Sequence, residues 1–181
     1  SSDLGINHKD LVQQLTALDE LRNLDPQAAD ERLRIVLEKL PPKTKGSVWI
    51  SPESRVSHLV MKSESAEVWE AFLKTAKRSH ISLRLELMNP MSYSHAGGNR
   101  LKQWIDFLAA FLDDTAERIA SQDEEMYSGP CAGFHFPRIT VRNFAAMQIA
   151  SLLKFKETPD KKWTEKQWSA LRSKVRGTLP K

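Results

Sequence analysis

RLKQWIDFLAAFLD, Arg100 to Asp113, is the stretch on which the reading of the whole chain turns. Leu101, Trp104, Ile105, Leu108, Phe111 and Leu112 recur at intervals of three and four, so they share one side of a helix. A strand would alternate with a period of two, and nothing here does. A second such stretch begins near Thr140, with Val141, Phe144, Ala145, Ile149, Leu152 and Leu153 facing one side. An apolar helix side needs another element to cover it, so these two stretches read as the halves of a helical hairpin.

The same rhythm runs outward in both directions. Toward the N-terminus, Leu11, Leu15, Leu18 and Leu21 form one stripe and Leu33, Val36, Leu37 and Leu40 the next. Asp25-Pro26 between them is an N-cap followed by proline at the first helical position, and Ser51-Pro52 repeats that signal. Val56, Leu59 and Val60, then Val68, Trp69, Phe72, Leu73 and Ala76, mark two further helices. Ser47 to Ile50 is an extended connector too short to found a sheet. Leu83 to Met88 alternates like a strand but has helical residue types and no partner strand, so it is read as helix. Toward the C-terminus, Thr164 to Gln167 is a capping box ahead of Trp168, Leu171, Val175 and Leu179. No β pair is expected, and the fold class is all-α: stacked antiparallel helical hairpins in one domain over residues 1–181.

Composition agrees with this. Apolar residues at 40% and charged residues at 28% describe a soluble globular chain, and no apolar run approaches the roughly 20 residues of a membrane span. A single cysteine excludes an internal disulfide framework and leaves cytoplasm and periplasm both open. Starting at Ser1 without methionine or leader, the chain reads as a processed protein or the C-terminal piece of a longer one.

Two segments carry a family likeness. Leu112-Asp113-Asp114 resembles the end of the first helix of a HEAT repeat. Val141-Arg142-Asn143-Phe144-Ala145-Ala146, running on to Leu152, resembles the second. The likeness covers Arg100 to Leu153 well and the remainder only through a helix-pair rhythm. More loosely, the C-terminal half is similar to the C-terminal regions of large planctomycete helical-repeat proteins. The resemblance implies a short α-α superhelix, with the aspartate and arginine at the turn bridging adjacent repeats. It implies no chemistry.

It also exposes a departure. Short helix–helix connections are the rule in such repeats, yet here an inserted loop at about 115–140 separates the two helices. Thr115 to Ser121 is expected to add a helical turn or two. SGPCAGFHFPR, Ser128 to Arg138, then supplies glycines and prolines for tight, stiff turns and aromatics to pin the loop on the helices beneath. Cys131 and His135 are four apart, a spacing a thiolate nucleophile tolerates, but no oxyanion hole or orienting third residue accompanies them. As metal ligands they are two where structural zinc takes four. We therefore expect no catalytic, cofactor or metal site.

Charge is concentrated at the end. Lys154 to Lys181 holds nine Lys or Arg against three acids, a balance of +6, while the remaining 18 basic and 20 acidic residues balance at −2. Two candidate interaction surfaces follow: the inserted loop (Tyr127, Phe134, His135, Arg138) and the basic tail (Lys161, Lys162, Trp163, Lys166, Arg172). The favoured reading is a non-catalytic scaffold that binds a protein. Nucleic-acid binding through the tail is the first alternative, since basic residues among aromatics grip phosphates and stack bases. An enzyme using Cys131 and His135 is the second.

Overall fold

The computed structural model describes residues 8–42, 52–89, 99–119 and 136–180. They form an all-α fold with one small β-ladder. The helices are α1 (His8–Leu24), α2 (Pro26–Lys39), α3 (Pro52–Met61), α4 (Ala66–Arg78), α5 (Ile81–Leu87) and α6 (Asn99–Ala109). Strands β1 (Glu117–Ile119) and β2 (Arg138–Thr140) follow, then α7 (Val141–Leu152) and α8 (Glu165–Thr178).

Local chemistry sets where the helices begin. Asp25 accepts the Ala28 N–H at 3.0 Å, and Pro26 occupies a position whose donor would have no helical acceptor. Ser65 accepts from Val68 and Thr140 from Asn143. In the Thr164 capping box, the Thr164 N–H donates to Gln167 Oε1 at 2.8 Å and Thr164 Oγ1 accepts the Gln167 N–H. At its far end α7 is closed by Lys154 in the left-handed region (φ 55°), and the Phe155 N–H reaches back to the Ala150 carbonyl at 2.8 Å.

The helices pack in a regular order. From α1 to α5, each meets the helix two places along: α1 with α3, α2 with α4, α3 with α5, α4 with α6, α5 with α7. The odd helices thus make one layer and the even helices the other, and α8 closes on α7. One buried cluster runs through both layers, from Leu11 and Leu33 to Trp104, Phe144 and Val175.

Arginines tie successive helix ends together. The last carbonyls of a helix lack internal donors, and here neighbouring helices supply them. Arg78 on α4 donates to the carbonyls of Leu37 and Glu38 at the end of α2 (2.9 and 3.0 Å). Arg84 on α5 donates to Ala76, Lys77 and Ser79 at the end of α4, and its remaining nitrogen pairs with Asp114 at 2.7 Å. Arg176 on α8 donates to the Leu112 carbonyl and pairs with Asp113. Each such fork joins two helices through charge-assisted bonds.

The insertion is where the sequence reading fails. Within Thr115 to Ser121, read as helical, Glu117–Ile119 is a strand, and the unexpected β pair is antiparallel with Glu117 opposite Thr140 and Arg118 opposite Ile139. Ile119, Ile139 and Thr140 are β-branched and suit a pleated ladder. Their partners lie across the insertion, beyond any local sequence window. Likewise α6 stops at Ala109, and the chain turns through Phe111 and Leu112, both still buried.

Candidate interaction surface

The α6–α7 turn gathers the sequence-derived features that the structure describes. Asp114 begins it: its side chain accepts the Ala116 N–H at 3.0 Å, turning the chain out of the helix and into β1. On the return, the Val141 N–H donates to the Ala116 carbonyl and the Arg142 N–H to that of Asp114, both at 2.9 Å. The ladder therefore runs without a gap into α7, and Asp113 and Val141 flank a common bend. Thr140 ends the strand and caps the helix at once. The two ends of the insertion are joined by this β-ribbon.

The two faces of that ribbon differ. Arg118 and Ile139, opposite each other, are both buried at 3% exposure. On the other face the diagonal neighbours Arg138 and Glu117 pair at 2.7 Å, with Arg138 mostly exposed. The Glu117 carboxylate accepts a hydrogen bond from Arg138, which raises the guanidinium pKa further. Phe136 is buried and meets Trp168 of α8 edge-on, centroids 5.8 Å apart, so one aromatic of the loop does pin it to a helix. Tyr127, Cys131, Phe134 and His135 lie outside the described residues.

The basic tail divides by residue type. Arg172, expected on the binding surface, is 7% exposed. It donates to Asn143 Oδ1 on α7 and to Glu165 Oε1 at 2.6 Å, so it joins α7 to α8. This corrects the sequence reading. Helical spacing puts Arg172 next to Leu171 on the side that meets α7, and the buried Asn143 amide oxygen there makes burial of the guanidinium tolerable. Lys174 is also engaged: its ammonium lies 2.6 Å from Glu157 and 4.4 Å from the centre of the Phe155 ring. Hydrogen bonding from Lys174 holds the Glu157 carboxyl below the ordinary carboxylate range.

Lys154, Lys156, Lys161, Lys162 and Lys166 stay exposed along the α7–α8 connector and the first turn of α8. The acids among them turn elsewhere. Glu165 pairs with Arg172 and Arg142, Glu157 with Lys174, and Asp160 Oδ1 accepts the Lys162 backbone N–H at 2.7 Å. Trp163 is half-buried, its ring tilted against Trp168 with centroids 5.1 Å apart. The tail thus presents lysines to solvent, while Arg172 and the Trp163 ring turn toward the protein.

Sequence reading missed Arg118, for which no local signal exists. It also missed Arg78 as a cap for α2, although a basic residue in a last helical turn was a signal to follow. Comparison with protein-family models, curated proteins and solved structures finds no match to the chain. Among the described residues, no helix is long and apolar enough to cross a membrane, and no three His, Cys, Asp or Glu side chains gather as metal ligands would.

One described histidine carries a pH prediction. His58 on α3 is half-buried, and burial, then the charges of Lys62 and Arg55, lower its pKa from the ordinary 6.5. A histidine depressed in the folded state contributes stability that is complete above its unfolded value and lost as pH falls through the folded value. The melting temperature should therefore fall as pH drops below about 6.5. His58→Gln should show a shallower fall over the same window, as read by thermal melts at several pH values. Identical slopes would remove His58 as the cause.

Proposed function

We propose that this protein is a non-catalytic scaffold of HEAT-like helical hairpins. It binds a protein partner through the arm between β1 and β2 and the lysine-rich corner beside it. The observation that carries this reading is the construction of the arm's root. A ladder extended by two hydrogen bonds into α7, an ion pair across its outer face and Phe136 seated on Trp168 hold both ends of residues 120–135. Loops carried on rigid helices are common recognition elements, because the scaffold removes part of the ordering entropy that binding would otherwise cost. Asp113, Asp114 and Arg142, the residues the HEAT resemblance assigns to bridging, pair with Arg176, Arg84 and Glu165 on neighbouring helices, which further supports it.

The test replaces residues 120–135 by Asn-Gly, which together with Phe136 and Pro137 joins the paired Ile119 and Arg138 through a four-residue hairpin loop. Affinity capture with the intact chain and with this variant should recover a partner that the variant loses, while the two melt alike. Capture of the same partner by both proteins would sink the role of the arm. Reversing Lys161, Lys162 and Lys166 to glutamate should weaken the same partner. Steeply salt-dependent duplex binding that this reversal abolishes would move the reading to nucleic acid.

A further inference from the structure

Among the described residues, two large apolar side chains remain exposed, Leu24 at 85% at the end of α1 and Ile35 at 39% on α2. Leu24 continues a stripe of α1 through Ala17 and Leu21 at helical spacing, separate from the buried stripe of Leu11, Leu15 and Leu18. On α2, Ala28 and Ile35 are two turns apart. Gln14, Leu18, Leu21, Ala28, Arg32 and Ile35 border one groove between the two helices.

The groove faces away from the rest of the stack. Asp19, on the other flank of α1, reaches Lys62 beyond the end of α3 at 2.6 Å. Arg34 and Glu38, on the other flank of α2, border a cleft shared with Glu67, Glu70 and Lys74 of α4. So α1 and α2 pack against α3 and α4 on one flank and expose a second apolar flank opposite. A helix apolar on two flanks is built to be covered on both.

We propose that this face is covered by a second copy of the same chain, hairpin against hairpin about a two-fold axis. Self-complementary charge points to that occupant. The charged residues bordering the groove are Glu31 and Arg32, exposed neighbours of opposite sign, so the rim carries no net charge that would repel an identical face. A two-fold contact uses the same patch on both copies. It sets each Glu31 against Arg32 of the other copy while the Leu21, Leu24 and Ile35 strips meet. A strongly acidic or basic partner would find no complementary field at this rim. The inference is independent of the arm, which leaves the chain between α6 and α7.

Sedimentation equilibrium over a wide concentration range tests it. The intact chain should self-associate to a dimer, and Ile35→Glu should weaken that association by roughly tenfold or more while leaving the melting temperature unchanged. Glu31→Arg and Arg32→Glu should each weaken it alone. An equimolar mixture of the two should associate again, because one copy then carries two positive charges where the other carries two negative ones. An intact chain that stays monomeric throughout overturns the proposal. So does an Ile35→Glu protein that dimerises normally, or a mixture no stronger than its components.

Discussion

Trp104→Ala is expected to lower the unfolding free energy by about 3–5 kcal/mol, the range for deleting a large aromatic side chain from a packed core. Trp104 is fully buried on α6 and stacks on Phe107 at 5.1 Å and on Phe72 of α4 at 6.2 Å, with Trp69 edge-on at 5.9 Å. These rings join α4 to α6, so their loss opens a cavity at the seam between those two helices. Trp104→Phe separates the possible causes. The indole N–H has no acceptor among the described residues, so phenylalanine removes an unsatisfied donor and keeps most of the ring volume. Its cost should stay below about 1.5 kcal/mol. Denaturant unfolding with an unchanged m-value measures both variants. A Trp104→Ala cost under about 1 kcal/mol would mean that this seam contributes little.

The second large effect is at the buried Arg172. Asn143→Leu should cost about 2–4 kcal/mol, because it strands a guanidinium nitrogen of a largely buried side chain. Arg172 and Asn143 are 7% and 6% exposed. Arg172→Met should cost less, about 1–2 kcal/mol, since it removes the charge together with the bonds and leaves only the Asn143 amide short of a partner. The double variant should be more stable than Asn143→Leu alone. That ordering is the sharp part: a guanidinium gripping a ligand at the surface would show the reverse, with little stability change on losing Asn143. A double-mutant cycle by denaturant unfolding decides it.

How far the sequence could be read follows from how local each signal was. The caps at Asp25 and Thr164 act within three residues, and each was visible as a residue type beside an apolar stripe. The stripes themselves were enough to place Leu33, Phe72, Trp104 and Trp168 in the core. Arg172 misled because a basic residue on a lysine-rich helix looks solvated until the amide of Asn143, 29 residues earlier, is brought beside it. β1 misled in the same way. Glu117–Ile119 has too few residues to declare itself, and only pairing with Arg138–Thr140 makes it a strand. Arginine and lysine counted alike in a sequence charge balance, but the fold buries Arg172, turns Arg78, Arg84 and Arg176 onto neighbouring helix ends and leaves the described lysines exposed. A planar fork keeps its bonds when desolvated, whereas an ammonium favours water.

The interruption after Asp114 was marked only by the resemblance to a HEAT hairpin, while period and capping by themselves determined that this chain is helical and roughly where its helices begin. These are properties of neighbouring residues, and three or four positions of chain are enough to express them. Tertiary structure alone decided that a β-ribbon joins the two ends of the interruption, that arginines close the ends of neighbouring helices, and that, among the described residues, Leu24 and Ile35 on α1 and α2 stay exposed. Each of those depends on groups far apart in sequence whose meeting is settled by the packing of whole helices.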